Sequence, residues 1–488
     1  MSRLWRGVAR ATLVALSGGA MVAAASDLPG TAALRPRSAQ ATAPVPSLVP
    51  VESVSLSCPG PETEGLGAIP PVPGRTTVLA ATAPAEALAD VALPGAPGRV
   101  TLAGMPGAPD LGSVAVRGRV VTGELSGPVA GRVTATGALA PGVGAIQMWL
   151  QAAGNDRALN TTPCLPPRPD IWLVGGGGES TRRERIVVAN PGANAVTVDV
   201  VVHGGAGPVP SVNGSHVAVP PRGRVTMLLD AIAGGESTPA VHVTASGGAV
   251  TAVLDDSWVD GSVGRGGDDA APADGPSLEQ VLPAVFVDGP AKVRVVVPGP
   301  DEAVVQTRLL TPTGPQPLPA DGVARVAGGT VRDIDLGALP AGAYAVQVRA
   351  DQPVVAGAML ERRPGGPHSD LAWTTSVAPI PVIAGGPLPP GARGQLMLVA
   401  TADAAGATVV AVSREGVVSS QDVAVPADSV AVVDISGLSQ VWVRQRLGTL
   451  RAGYLASLDD RSGPLFSTVV LPPLAVSATR TPVRQVQR

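Results

Sequence analysis

Three pairs of adjacent aspartates are the residues whose type could hold a metal ion: Asp255-Asp256, Asp268-Asp269 and Asp459-Asp460. The segment DDSWVDGSVGRGGDDAAPADG at residues 255–275 contains the first two pairs and could wrap calcium, which prefers carboxylate and carbonyl oxygens. Its spacing does not fit an EF-hand loop. We therefore expect solvated acids in loops or at strand edges, with calcium binding as the open alternative.

The four histidines, His203, His216, His242 and His368, could serve a metal site or a hydrolase. The first three are separated by 13 and 26 residues, which matches no compact metal-ligand motif. A Ser-His-Asp hydrolase would require one of the first three within hydrogen-bond reach of a serine or an aspartate. The chain lacks a Gly-x-Ser-x-Gly elbow. We expect no catalytic residue, no metal and no cofactor.

The stretch WLVGGGGESTRRERIVVANPG at residues 172–192 raises the question of a phosphate-binding loop. Such a loop needs its glycines between a strand and the N-terminus of a helix, whose amides and dipole attract the anion. Here an arginine-rich stretch and the strand-like IVVANPG follow, and no Gly-Lys-Ser or Gly-Lys-Thr occurs. We predict a hairpin or a joint into the second module at glycines 175–178, and a solvated loop at Arg182-Arg183-Glu184-Arg185.

Aromatic residues are scarce, with six Trp, two Tyr and two Phe. Modules that bind glycans usually stack sugar rings on exposed aromatic side chains, so a glycan platform would need a groove with more than one of them. The tryptophans beyond the N-terminal segment are instead spread about one per module, like core residues: Trp149, Trp172, Trp258, Trp373 and Trp442.

The composition indicates β-structure with frequent turns and argues against nucleic-acid binding. Gly (61) and Pro (51) favour turns over long helices. Hydrophobic residues make up 45% of the 488-residue chain, which is typical of globular proteins. The net charge of −3 and the sparse 15% of charged residues create no strong field for nucleic acid.

Three segments repeat one pattern, beginning with RIVVANPG, KVRVVVPG and GQLMLVAT. In each, a strand that ends in an aspartate is followed by a last strand that carries an alanine. The alanine comes 22, 23 and 22 residues after the aspartate in the pairs Asp230 and Ala252, Asp335 and Ala358, and Asp434 and Ala456. A fourth, more diverged copy precedes them. Its residues 78–84 (VLAATAP) are similar to 397–403 (MLVATAD), and its residues 133–150 are similar to 243–258. The sequence therefore predicts repeats of about 100 residues.

Strands are predicted from β-branched runs such as VTVDVVV, VRVVV and TVVAVS, bounded by Gly, Pro or Asn. The predicted fold class is all-β: tandem antiparallel β-sandwich modules of immunoglobulin-like or fibronectin-like size, with about seven strands each, behind an N-terminal signal segment. The proposed domains are 1–26 (signal peptide or membrane anchor), 27–73 (Pro/Ala-rich linker), 74–171 (β module 1), 172–283 (β module 2), 284–380 (β module 3), 381–474 (β module 4) and 475–488 (flexible tail).

The N-terminus predicts export. Arg3, Arg6 and Arg10 precede the apolar run ATLVALSGGAMVAAA at residues 11–25. A basic N-terminal segment, a short apolar run and a cleavage site of the Ala-x-Ala type are typical of a secretory signal peptide. Cleavage could follow Ala25 or occur at Ala39-Gln40-Ala41, and an uncleaved membrane tether is the alternative.

Export makes the two cysteines, Cys58 and Cys164, candidates for a disulfide. The bond would close a loop of about 100 residues, a constraint worth up to roughly 4.7 kcal/mol in the chain-entropy model. Two unpaired thiols are the alternative. A metal site is disfavoured because no nearby histidine completes a tetrahedral shell.

Several short motifs resemble one family of exported proteins. They are CPGPE at residues 58–62, ALNTTPC at 158–164, WLVGG at 172–176 and VANPG at 188–192. With them the chain resembles, over nearly its whole mature length, the actinobacterial family catalogued as domain of unknown function 5719. The resemblance implies an envelope or secreted location and β-rich repeats. It implies no activity and no catalytic residues.

We expect a non-catalytic exported cell-envelope protein, a β-sandwich array that acts as a scaffold or interaction module for an envelope protein or a cell-wall component. Such an array would be elongated and would contain no convergent cluster of titratable groups. A binding module for cell-wall glycan or lipid-linked sugar is the alternative, and a hydrolase is a third hypothesis.

Overall fold

The computed structural model describes residues 47–60, 62, 76–107, 110–179, 181–261, 263–319, 322–362, 369–460 and 463–480. The predicted signal segment, both cleavage points and His368 lie outside these residues. The chain divides into two units, Val49–Ala478 and Met1–Leu48 with Thr479–Arg488. The latter unit is described only at the ends of two paired strands, β1 (Ser47–Pro50) and a last strand at Ser477–Arg480, which begins within the expected flexible tail. None of the described helices has the length and apolarity needed to cross a bilayer.

Module 1 is a sandwich of two four-stranded antiparallel sheets, ordered β2-β7-β4-β5 and β6-β3-β8-β9. Its described strands are β2 (Ser53–Cys58), β3 (Thr76–Thr82), β4 (Arg99–Met105), β5 (Asp110–Val114), β6 (Val121–Leu125), β7 (Ala130–Thr136), β8 (Val143–Gln151) and β9 (Ala158–Pro163). Two short 3₁₀ helices lie at Ala85–Leu88 and Gly137–Leu139. The chain enters this sandwich earlier than expected, because β2 falls within the segment predicted to be a linker.

Module 2 repeats the arrangement with sheets β10-β16-β12-β13 and β15-β11-β17-β18, and β14 also pairs with β12. The strands are β10 (Asp170–Val174), β11 (Arg182–Asn190), β12 (Val196–Gly204), β13 (Gly207–Val209), β14 (Val217–Val219), β15 (Gly223–Leu228), β16 (Ala240–Ser246), β17 (Thr251–Asp260) and β18 (Val263–Ala270). One short helix, α1 (Leu229–Ala233), follows β15.

Module 3 joins its two sheets through one long strand. Its strands are β19 (Ser277–Val287), β20 (Ala291–Val296), β21 (Ala303–Thr311), β22 (Gly314–Pro317), β23 (Val323–Val326), β24 (Val331–Asp335), β25 (Gly342–Arg362) and β26 (Asp370–Thr375). The first half of β25 pairs with β19 and β21, and its second half pairs with β20 and β26.

Module 4 has sheets β27-β32-β29-β30 and β31-β28-β33-β34. Its strands are β27 (Ile383–Pro387), β28 (Arg393–Ala400), β29 (Ala405–Ser413), β30 (Val418–Val425), β31 (Ser429–Asp434), β32 (Leu438–Leu447), β33 (Leu450–Leu458) and β34 (Leu465–Val470).

All four modules share one topology, which confirms the predicted all-β fold of repeated antiparallel sandwiches. With eight strand positions labelled A to H in chain order, every module has one sheet ordered A-F-C-D and one ordered E-B-G-H. The H strands are β9, β18, β26 and β34. With them each module has more than the seven strands expected. The H strands were not predicted, because polar runs such as VGRGGDDA lack the β-branched pattern of a strand.

The modules of the unit Val49–Ala478 close into a ring, so the expectation of an elongated array is wrong for this unit. The four H strands pack against one another in a cycle around a central axis. The A strands of modules 2 and 3 pack on the G strands of modules 3 and 4, and β27 of module 4 packs on β8 of module 1. Between modules 1 and 2, the Thr251 hydroxyl donates a hydrogen bond of 3.0 Å to Ser57 Oγ.

Three of the four cores extend into the next module. Trp373 of β26 packs in the core of module 2, and Phe466 of β34 packs in the core of module 3. Leu159 of β9 packs in the core of module 4. Because the axial strands supply these side chains, the ring is stabilised by shared burial of apolar surface.

Candidate functional site on the ring axis

Four aspartates face one another on the hairpin formed by β17 and β18. Asp255 lies opposite Asp269, and Asp256 lies opposite Asp268. The predicted loop at residues 255–275 is therefore largely a strand pair, and the prediction of solvated acids is wrong for Asp256, Asp268 and Asp269, each at most 2% exposed. Like charges directly opposite each other destabilise a strand pair. Other residues must therefore compensate for them.

The arginine-rich stretch supplies part of this compensation, so its expected solvated loop is also wrong. It begins strand β11, which pairs with β17. Arg182 donates from Nε and Nη2 to the two carboxylate oxygens of Asp256, both at 2.8 Å. Burial and the charge of Asp256 raise the pKa of Glu184 to about 8.

Hydrogen bonds accepted by the acids connect neighbouring modules at the axis. The backbone N–H groups of Trp373 and Phe466 donate to Asp268 and Asp370, respectively, each at 2.8 Å. Asp269 of module 2 accepts from Gln147 Nε2 at 3.0 Å and from Thr162 Oγ1 at 3.1 Å, both in module 1. We call Asp255, Asp256, Asp268, Asp269 and Asp370 the axial acidic cluster. It is the convergent titratable cluster that we did not expect.

Burial raises the pKa values of most carboxyl groups in the axial acidic cluster. It raises the pKa values of Asp268 and Asp370 well above the ordinary range. Burial together with the charge of Asp269 does the same for Asp255. Hydrogen bonds from Asn160, Thr162 and Gln147 offset part of this effect at Asp269, whose pKa is raised to about 6. Strongly raised carboxyl pKa values beside a cleft mark a candidate functional site.

A cleft between modules 1 and 2 reaches this cluster. Its volume is about 420 Å³, including the part open to solvent. Its walls include Trp149, Asn160, Arg185, Asp255 and Asp268. We refer to it below as the axial cleft.

Two side chains of the axial cleft carry buried N–H groups that have no hydrogen-bond acceptor within the described part of the chain. They are Nε1 of Trp149, and Nε and Nη2 of Arg185. The third nitrogen of Arg185, Nη1, donates to the Glu62 carbonyl at 3.1 Å and lies 3.7 Å from Asp255 Oδ1. Buried donors are usually paired in folded proteins, so these atoms need an explanation.

The histidines do not converge on one site. His242 Nε2 lies 3.0 Å from Asp170 Oδ2, and the His242 ring stacks on Trp172 at 4.1 Å. The His203 ring lies tilted, 5.2 Å from the Trp172 ring centre, with its Nδ1 3.1 Å from the Gly329 carbonyl. His216 is separate and exposed, 3.6 Å from Asp199.

The His242–Asp170 contact meets one requirement of the hydrolase hypothesis. Among the described residues, no hydrogen bond joins a serine hydroxyl to a histidine ring, and no group of three or more His, Cys, Asp or Glu side chains is arranged to hold a metal ion.

Glycines 175–178 link strand A to strand B inside module 2, crossing from one sheet to the other. This is a joint, as predicted, although it lies within the module and not at its entrance. The carbonyls of Gly175 and Gly176 accept hydrogen bonds from Arg294 at 3.0 and 2.8 Å. The loop thus presents carbonyls to a cation, the opposite polarity from a phosphate-binding loop.

The tryptophans are mostly buried, as predicted for core residues, but several lie between modules. Trp172 packs with Val296 and Val355 of module 3, and Trp442 packs with Leu88 of module 1. Trp258 is half-buried, with the Arg182 and Arg265 guanidinium groups 5.1 and 5.7 Å from its ring centre.

The predicted disulfide is confirmed: Cys58 is bonded to Cys164. Cys58 ends the A strand of module 1 and Cys164 follows its H strand, so the bond joins the outer β2 sheet to the axial side of the module. Both cysteines are buried. A buried structural disulfide hints at an extracytoplasmic location.

Comparisons with known proteins give one family match. The model of the family described as "Family of unknown function (DUF5719)" matches residues 120–436. No curated protein matches the chain.

Three solved structures illustrate how distant the structural matches are. Thermotoga maritima 1070 has 12% identity over 20% of this chain and 92% of its own, with a TM-score of 0.18. A glycoside hydrolase family 32 protein from Bifidobacterium adolescentis has 9% identity over 88% and 96%, with a TM-score of 0.14. A tetra-tandem repeat from a large adhesion protein has 13% identity over 80% and 92%, with a TM-score of 0.07. Scores this low carry no argument about fold or function.

Proposed function

The chain belongs to the family of unknown function DUF5719, and from that starting point we propose that it is a non-catalytic, exported cell-envelope protein. In this proposal the ring is a rigid platform that holds an envelope protein or a cell-wall component. The N-terminal segment serves as a signal peptide or as a membrane tether.

The closure of the ring is the observation that carries the proposal. Each module is packed against two neighbours, and hydrogen bonds of Asp268, Asp269 and Asp370 join modules at the axis. The D strands lie at the outer edges of their sheets. Surfaces on different modules therefore keep a fixed relation to one another, which favours binding of a partner at several points.

The hydrogen bonds of the buried acids support a structural use of these groups. Asp256 accepts from Arg182 and, at 2.7 Å, from the indole of Trp373. Asp370 accepts from the backbone of Phe466 and Leu371. Both oxygens of each of these two carboxylates have a donor, and buried polar groups that are satisfied in this way rigidify the structure around them.

Export and the platform role can be tested on the protein isolated from its native envelope or culture fraction. We expect an intact mass that lacks the first 25 or 41 residues, or the full-length mass of a tethered protein, with a gain of two protons on reduction for the disulfide. Recovery of the protein only from the cytoplasm with free thiols would contradict export. Chemical cross-linking in intact cells should then give a defined adduct with an envelope component, and a cross-linking pattern without any adduct would contradict the platform role.

A further inference from the structure

Among the described D strands, β30 of module 4 differs from its three counterparts in the length and regularity of its edge. It has eight residues, and its pairing with β29 has no break in register. The D strand of module 1 has five residues and an irregular register. In modules 2 and 3 the D position is divided between two short strands, and β13 and β22 contain prolines. Short, bent or proline-containing edge strands resist pairing with another chain, and β30 has none of these features.

The free edge of β30 presents unpaired backbone groups. The Ser413 N–H donates to the Val417 carbonyl at 2.9 Å, which identifies these facing residues as a hydrogen-bonded pair. Because bonded and non-bonded pairs alternate in an antiparallel ladder, every second residue of β30 directs its N–H and C=O away from β29. These outward-facing residues are Val418, Ser420, Asp422 and Ala424. All four are exposed, and no described strand lies on this side of β30.

The outward-facing residues are complementary to those of a second copy of the chain. In an antiparallel pair of two β30 strands related by a two-fold axis, Gln421 can face Gln421 of the second copy. In this register all four outward-facing residues exchange backbone hydrogen bonds with the other strand. Ser420 then lies opposite Asp422 of the second copy, twice by symmetry. A hydroxyl donates to a carboxylate, and no like charges face each other directly.

Module 1 leaves room beside this edge. A groove with about 350 Å³ of free volume lies next to the first residues of β30. Val412 and Val418 line it from module 4, and Pro84 and Arg119 line it from module 1. Val418 is 37% exposed, and in the two-fold register it faces the small Ala424 of the second copy. The groove therefore has space for the side chain that this register brings to it.

We propose that β30 pairs with β30 of a second copy, so that two four-stranded sheets of module 4 join into one eight-stranded sheet. Self-complementarity around Gln421 favours a second copy over an unrelated extended segment, because the Ser420–Asp422 contact is repeated on both sides of the two-fold axis. The dimer holds two rings in a fixed relation. This pairing depends neither on export nor on the platform role.

The mass of the whole oxidised protein in solution gives the first test. Sedimentation velocity should show a monomer that converts to a dimer between about 1 and 100 µM, the range expected for a small interface. Ser420→Pro should raise the dimer Kd by about ten-fold or more, because it removes an outward N–H and blocks strand addition. That N–H does not bond to β29, so the variant should unfold at the same urea concentration as the parent protein.

The contact between Ser420 and Asp422 is tested by Asp422→Ala. Loss of the contact on both sides of the two-fold axis should raise the dimer Kd by about three-fold or more. Asp403→Ala is the matched control, because Asp403 is an exposed acid of module 4 that lies outside its strands. Equal Kd values in the two alanine variants would contradict the proposed register.

A pair of cysteine variants tests the register directly. Facing Cα atoms of a non-hydrogen-bonded pair lie about 4.5 Å apart, within the range for a disulfide. Gln421→Cys should therefore give a covalent dimer under mild oxidation. Ser419→Cys is the matched control, because in this register its two copies are separated by four residues along the strands, about 13 Å. It should remain uncross-linked.

Two results would overturn the proposal. One is a monomer throughout the concentration range, with no covalent dimer of Gln421→Cys. The other is a dimer whose two cysteine variants cross-link equally, since the copies would then meet elsewhere or in another register. The cysteine variants decide the question even if Ser420→Pro fails to fold.

Discussion

Arg294 illustrates how single residues hold the ring together. Its side chain is fully buried, and Nη1 donates to the carbonyls of Gly175, Gly176 and Pro239 at 2.8–3.0 Å. Nε and Nη2 bind the two carboxylate oxygens of Asp333 at 2.7 and 3.1 Å. A buried guanidinium is tolerated only when it is paired and hydrogen-bonded in this way. Arg294 therefore fixes module 3 to the glycine joint of module 2.

Replacing Arg294 by methionine should cost roughly 2–4 kcal/mol of unfolding free energy, because three buried carbonyls lose their donor and Asp333 keeps only Lys292 as a partner. Urea unfolding of the two proteins measures the difference. Arg325→Met is the matched control: Arg325 is 72% exposed and paired with Glu302, so its loss should change stability by less than about 1 kcal/mol. Equal effects of the two substitutions would show that Arg294 does not hold the module contact.

The axial acids were predictable as residues but not as a cluster. Both the RRER stretch and the two Asp pairs resemble solvated loop segments when each is read alone. The informative feature is that β11 pairs with β17, which places Arg185 opposite Asp255 and brings Arg182 into contact with Asp256, although Glu184 lies directly opposite Asp256. This register depends on strand pairing between residues about 70 positions apart, which no local pattern specifies.

At the scale of elements, the repeat could be predicted well. The segments 78–84 and 397–403 both begin in B strands, β3 and β28, and Ala252, Ala358 and Ala456 are all buried in G strands. The order of the modules around the axis could not be predicted. It depends on close packing of A strands on G strands, where the sequence offers only isolated glycines as a sign.

Gly144 is one of these glycines, and its replacement tests the contact that closes the ring. A Cβ atom there would lie 2.3 Å from the carbonyl oxygen of Gly385 in module 4. Gly144→Val should therefore push β8 and β27 apart and lower the unfolding free energy by about 1–3 kcal/mol.

Gly299→Val provides the control for Gly144→Val, because an added Cβ at Gly299 meets nothing within 4 Å. Urea unfolding and limited proteolysis of the module 4–module 1 contact report the effect. If Gly144→Val were as stable and as protease-resistant as Gly299→Val, the closed contact between these modules would be wrong.

At the scale of the whole molecule, the ring concentrates buried acids at its axis and thereby couples its stability to protons. Five acids have pKa values raised by burial: Glu184, Asp255, Asp268, Asp269 and Asp370. The native state holds protons on these groups at pH values where the unfolded chain has released them. Stability must then decrease as the pH rises through the native pKa values, which are about 6 for Asp269 and about 8 for Glu184.

We therefore expect the unfolding free energy to be larger near pH 5.5 than near pH 8, by roughly 1–3 kcal/mol. His203 acts in the opposite direction, because burial lowers its pKa, but it is one group against five. Acids with lowered pKa values, such as Asp333, are ionised in both states across this interval and contribute only at lower pH.

Urea unfolding at several pH values gives the slope of the unfolding free energy against pH. Asp268→Asn should flatten the slope because it removes one of the titrating groups while its amide oxygen can still accept from Trp373, whereas Asp403→Asn should leave it unchanged. An unfolding free energy that rises between pH 5.5 and pH 8 would contradict this prediction. It would mean that the axial acids are ionised in the native ring. The hydrogen bonds that join the modules would then be accepted by carboxylates, stabilised by Arg182 and Arg185.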